Sequence, residues 1–217
     1  MRPCADRSFI MHEYDNSGFT LAELLVSMMI GLLILFAVYE TFTVQNRSLK
    51  TLELKAATVQ NARVGLDFIV RELRMAGYNP TDTINSCQGT DTATNTPCVG
   101  ITSIAGDSIS FTADLNGNGD LTPDSTNPDE NIAYNVYSSG GIMYLGRTSN
   151  GSLQPVVMNI TGLSFNYYDG SNQATTNLAL IRKVNGSITA TTPLPVGNRY
   201  YQTITFSSDI VPKCLVY

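Results

Sequence analysis

Gly18-Phe19-Thr20-Leu21-Ala22-Glu23-Leu24-Leu25-Val26-Ser27-Met28-Met29-Ile30-Gly31-Leu32-Leu33-Ile34-Leu35-Phe36-Ala37-Val38-Tyr39 is the stretch that decides the fold. From Phe19 to Tyr39 its only charge is Glu23. At about 1.5 Å of rise per residue, a helix over this stretch crosses a hydrocarbon core of ~30 Å. The residues just before it, Glu13, Asp15, Asn16 and Ser17, are polar or acidic, and no small-x-small site followed by a loop comes after Tyr39. Both features argue against a secretory signal peptide cut behind its apolar core. A carboxylate inside such a segment costs about 2.5 to 3.5 kcal/mol on insertion scales. Glu23 therefore needs either a cationic partner or a place in the first helical turn, where the helix dipole and the headgroup region favour it.

Working outward, the helical period continues past Tyr39. Leu49, Leu52, Ala56, Val59, Ala62, Leu66, Ile69, Leu73 and Ala76 recur every three or four residues and mark one apolar stripe expected to face a sheet. Lys50, Glu53, Lys55, Arg63, Asp67, Arg71 and Glu72 are read as the solvated face. Gly77 suits a left-handed cap and Pro80 cannot continue a helix, so the helix is expected to end near Ala76, roughly 85 Å from its start at Phe19. Thereafter Thr, Asn, Gly and Pro dominate, with short alternating runs. Strands are expected at Val99–Ile104, Ser108–Ala113, Asn131–Tyr137, Ile142–Gly146, Val156–Tyr168, Leu178–Val184 and Tyr200–Ser207. The fold class is α+β, a long N-terminal helix packed on an antiparallel sheet head with long loops.

The composition sets limits on function. In 217 residues, hydrophobics make up 43% and charged residues 14%, so the chain folds and holds one core of ordinary size. A net charge of -5 and a pI near 4.7 give no basic footprint for phosphates, so nucleic acid is not expected as a partner. No nucleophile, base and orienting group stand together in the sequence, which makes an enzyme the weakest reading.

The run Gly18 to Val26 resembles the cleavage and methylation signal of type IV prepilins and type II secretion pseudopilins. The resemblance implies that a membrane peptidase cuts after Gly18 and methylates the new N-terminus, Phe19. Glu23 then becomes the acidic fifth mature residue, which in that family pairs with the N-terminal amine of a neighbouring subunit. Ala22 departs mildly from the larger aliphatic residue usual at its place. The leader is residues 1–18, or the eight residues from Met11 if translation starts there; the longer form supplies Arg2 and Arg7. His12, the single histidine, lies in either leader, so the processed chain lacks imidazole chemistry. Residues 19–78 would form the helix, membrane-spanning over 19–39, and residues 79–217 the head.

Arg71-Glu72-Leu73-Arg74-Met75-Ala76-Gly77-Tyr78-Asn79-Pro80 resembles the helix end of PilW-type minor pilins. That implies a non-enzymatic filament subunit held in the inner membrane with a periplasmic head, then carried into an extracellular type IV pilus. The implied partners are major and minor pilins, a prepilin peptidase and an inner-membrane assembly platform. A minor pseudopilin and a tip-displayed adhesin are the rival readings.

Within the head, Asp114, Asn116, Asn118, Gly119 and Asp120 follow the first half of an EF-hand loop, with Asp120 placed to offer its backbone carbonyl. Ser125 stands where the bidentate glutamate belongs, so completion falls to Asp124, Asp129 or Glu130. Calcium is the one candidate cofactor. The alternative is a plain turn, which Asn-Gly and Asp-rich clusters make without metal. Cys87 and Cys98 flank a short loop and are expected to form a disulfide. Cys214 is left as a thiol or as a competitor for Cys87; three separated cysteines without histidine lack zinc-ligand spacing. Asn-x-Ser/Thr matches at Asn46, Asn150, Asn159 and Asn185 are chance level, and the tyrosines of the head are expected to pack a sheet rather than bind a ligand.

Overall fold

The computed structural model describes residues 18–82, 84, 99–121, 130–149, 151–193 and 201–215. The expected disulfide pair Cys87 and Cys98, the candidate ligands Asp124 and Asp129, and the leader up to Ser17 lie outside the described residues. The chain divides after Ser48 into two compact units. In the first, helix α1 begins at Leu21; this helix runs to Leu73 over 53 residues. Every described residue from Gly18 to Phe42 is exposed, and α1 contains a stretch long and apolar enough to cross a membrane.

The second unit holds the rest of α1 and two antiparallel sheets. The first sheet takes β1 (Gly100–Ile104), β2 (Ile109–Thr112), β3 (Asn131–Ser139), β4 (Ile142–Ser149) and β5 (Ser152–Met158) in chain order. The second takes β6 (Ile160–Tyr168), β7 (Lys183–Thr191) and β8 (Thr203–Ile210). The α+β, pilin-like arrangement is thus present, with the strands divided between two sheets.

Several expected boundaries move, each for a local reason. Val156–Tyr168 is two strands, not one. Asn159 breaks it with φ +63, a left-handed conformation that asparagine tolerates better than its β-branched neighbours. Its N–H donates to the Met143 carbonyl of β4 at 2.7 Å, and its carbonyl accepts from the Thr191 N–H at the end of β7 at 2.9 Å. Asn159 therefore hands the chain from one sheet to the other while bonded to both. Leu178–Leu180 is a short 3₁₀ turn capped by the Asn177 side chain, which accepts from Ala179 N–H at 3.0 Å. The strand expected there begins only at Lys183 and continues to Thr191. The last strand ends at Ile210, three residues beyond the expected Ser207.

The helix also ends earlier than expected, at Leu73. Met75 N–H then bonds back to Glu72 and Ala76 N–H to Leu73, tightening the last turn. Gly77 takes φ +85, as its place after the stripe predicts, but its N–H goes to the Thr112 carbonyl of β2 at 3.0 Å instead of closing on the helix. A Cβ there would lie 2.8 Å from the Cys214 carbonyl oxygen, so backbone contact as well as φ requires glycine. Cys214 itself is a half-buried free thiol.

The apolar stripe holds from Ala62 onward: Ala62, Ile69, Leu73 and Ala76 are buried with Phe111, Tyr134 and Leu145 of the first sheet and Phe165, Ile188 and Ile210 of the second. Leu49, Leu52 and Ala56 are exposed, because the sheet contacts of the described head do not reach them. Two further departures lie on α1. Glu72, read as solvated, is mostly buried: it pairs with Arg147 Nε at 2.9 Å and accepts from the Tyr134 hydroxyl at 2.5 Å. Burial, reinforced by the Glu72 carboxylate, raises the Tyr134 phenol and keeps it a donor. Several of the head's tyrosines pack as expected, Tyr167 being buried and Tyr137 stacking on Tyr144 at 5.6 Å, whereas Tyr201 is exposed.

Gly65 is the second departure. An added Cβ would fall 2.8 Å from Ile188 Cδ1, 3.2 Å from Leu145 Cδ2 and 3.7 Å from Val157 Cγ2, so the helix lies close against both sheets at this residue. Gly65→Leu is expected to destabilise the head by about 1 to 3 kcal/mol through overpacking. The measurement is a lowered Tm of the full chain in detergent micelles. Gly65→Ala meets first the movable end of Ile188 and regains helix propensity, so it should lose far less. A Gly65→Leu protein that melts with its parent would contradict this close approach.

Candidate functional site

The first unit carries the candidate processing and assembly residues. Thr20 precedes the helix and Glu23 stands three residues later, the spacing at which two side chains can cap each other's backbone. Thr20 N–H and Thr20 Oγ1 each donate to Glu23 Oε2 at 2.9 Å, and Glu23 N–H donates to Thr20 Oγ1 at 3.3 Å. This reciprocal capping box satisfies amides that helix geometry leaves open. It supports the helical-turn account of Glu23 in the single chain. The role of Thr20 was missed, although Thr-x-x-Glu before an apolar run is a signal readable in sequence. Both bonds fall on Oε2, and among the described residues Oε1 accepts none.

Gly18 and Phe19 lie ahead of the helix. Phe19 is 88% exposed, and a Cβ built on Gly18 meets nothing within 4 Å. Among the described residues, packing does not explain the identity of either residue. From Leu21 to Val44 the large apolar side chains, among them Leu24, Leu25, Met29, Leu33, Phe36 and Phe42, are all more than half exposed. A helix apolar on every side has its partners outside the chain, in lipid or among other helices.

The second unit brings the expected loop residues together with Glu130. Asp114 is fully buried; its Oδ1 accepts from Gly117 N–H at 2.7 Å and its Oδ2 from Gly119 N–H at 3.1 Å. Asn116 Oδ1 accepts from Asn118 N–H, and Asn118 Oδ1 from Asp120 N–H, both at 2.8 Å. Gly117 and Gly119 hold positive φ, which lets the loop turn back on Asp114. Glu130, just before β3, is buried, and its Oε1 accepts from Leu115 N–H at 3.0 Å and Asn116 N–H at 3.3 Å. Burial raises the Glu130 carboxyl, the amides of Asn116 and Leu115 pull it down, and the charges of Asp114 and Asp120 add to the rise. Among the described residues, no three side chains of His, Cys, Asp or Glu stand close enough to share a metal ion.

A protein-family model described as the prokaryotic N-terminal methylation motif matches residues 15–39. No curated protein and no solved structure matches the chain. The motif is a type IV prepilin-like signal and supports a structural subunit of the pilin or pseudopilin kind. It implies processing by a prepilin peptidase and assembly with other pilins in a membrane system. With the apolar helix, it is consistent with a membrane-anchored protein.

Because an added Cβ at Gly18 meets nothing among the described residues, Gly18→Ile should leave thermal melting of the head unchanged while abolishing leader removal. Mass spectrometry of the membrane fraction reads the second effect as a retained leader. Cleavage of this variant at the parental rate would remove Gly18 from the recognition signal.

Proposed function

We propose that the chain is a minor pilin of the PilW type, a non-enzymatic subunit that helps to initiate or stabilise a type IV pilus. The observation that carries this reading is the methylation motif over residues 15–39, leading into a 53-residue helix whose residues up to Phe42 are all exposed among the described residues. Proteins with this motif are generally structural. Before assembly the subunit sits in the inner membrane with its head in the periplasm. Afterwards it is part of an extracellular filament, with major and minor pilins as neighbours. The peptidase and the inner-membrane platform are its other partners. The Ala76-Gly77-Tyr78 ending and the long Asn-, Thr- and Gly-rich head, by their resemblance to PilW-type minor pilins, favour that assignment over a pseudopilin.

Glu23 has two jobs in this account. In the lone subunit it caps its own helix. In the assembly its carboxylate faces the cationic amine of a neighbour's Phe19, and methylation leaves that amine charged. Glu23→Gln separates the two, because glutamine still completes a capping box but carries no charge.

Gene deletion and Glu23→Gln are compared in cells. Deletion should leave few surface pili and poor twitching, with secreted enzymes exported normally. Stalled enzymes with intact pili would favour the pseudopilin, and intact pili with failed attachment the adhesin. Loss of a charge-assisted bond should lower incorporation of Glu23→Gln into pili about tenfold or more, measured by immunoblot of sheared filaments. Incorporation equal to wild type would mean that Glu23 serves only as a cap.

A further inference from the structure

We propose that the loop Asp114–Asp120, closed by Glu130, binds a calcium ion. The loop alone would be a turn, since its side chains bond to its own backbone. Glu130 is the independent observation. Glu130 is 1% exposed, its Oε1 is fixed on the loop amides of Leu115 and Asn116, and its Oε2 is buried with no hydrogen-bond partner among the described residues. Buried polar atoms are rarely left so, and a buried carboxylate is costlier still. Asp114, fully buried, is the second carboxylate at the same loop, and among the described residues neither forms an ion pair with lysine or arginine.

The donor set suits a hard cation that takes six to eight oxygens in flexible geometry. Asp114 and Glu130 supply charge. Asn116 and Asn118 would supply amide oxygens and Asp120 its carbonyl. Two carboxylates with neutral oxygens place the affinity in the range of extracellular modules, about 10⁻⁴ to 10⁻³ M. The ion would also tighten the end of α1: Asp114 N–H donates to the Tyr78 carbonyl at 2.8 Å, one residue past the Gly77 cap. This inference does not depend on the filament role.

The test uses the full chain in detergent micelles, stripped with chelator and melted across calcium or magnesium titrations, with calorimetry at low temperature. Calcium a hundredfold above its Kd should raise Tm by about 5 to 10 °C, and magnesium should raise it much less. Glu130→Gln keeps an acceptor for the two loop amides and should need at least tenfold more calcium for half the shift. If Glu130→Gln melts too early to read, Asn118→Ala, in an exposed part of the loop, should show the same loss. A flat Tm up to several millimolar calcium, an equal response to magnesium, or an unchanged half-saturation in the readable variant would overturn the site.

Discussion

The disposal of apolar surface on α1 is the constraint on which the rest depends. Sixteen large side chains from Leu21 to Val44 stand more than half exposed within the chain. Removing one such side chain from water is worth about 1.5 to 3 kcal/mol. Leaving all of them in water would cost more than the ~5 to 15 kcal/mol by which a typical domain is stable. The segment must be covered by lipid or by other helices. A role as an anchored subunit that trades membrane for filament meets that requirement, and a freely soluble protein does not. Glu23 and Thr20 sit where this surface begins, and their mutual capping keeps the helix start satisfied in the absence of any partner.

In the second unit the same helix has a different problem, namely to serve two sheets with one face. Ala62, Gly65 and Ile69 solve it by size. A small residue at 65 lets Leu145 and Val157 of the first sheet and Ile188 of the second meet at the helix surface. The sheets are joined to each other by backbone as well. Asn159 bonds to both, Phe165 N–H reaches the Gly106 carbonyl at 2.9 Å, and the Tyr167 hydroxyl reaches the Ala105 carbonyl at 3.0 Å. At the helix end, Glu72 with Arg147 and Tyr134 adds a half-buried polar tie, which removal of any one partner would turn into a liability.

Much of this was legible in the sequence because it rests on periodicity and local chemistry. The apolar run, the stripe from Ala62 to Ala76, the Gly77 cap and most strands of the head each have a signal within a few residues. What was not legible depends on distant partners. Leu49 and Leu52 carry the right period but no sheet lies over them, and Glu72 lies among charged residues yet meets Arg147 75 positions later. The break at Asn159 and the start of β7 at Lys183 were hidden in runs of strand-forming residues, where one left-handed residue or one Asn cap decides the outcome. For the candidate site, Asp114, Asn116, Asn118 and Asp120 were readable by spacing. That Glu130 bonds back to the loop amides was not, since it returns to the loop only when β2 and β3 pair.

The proposed role rests on maturation at Gly18–Phe19 into a membrane-anchored pilin-like subunit. Top-down mass spectrometry of the protein isolated from membranes of cells with an active prepilin peptidase tests it most directly. A single N-terminus at Phe19, carrying one added methyl group on its amine, is expected. An N-terminus at Met1 or Met11, or a cut behind Tyr39 that removes the apolar helix, would contradict it.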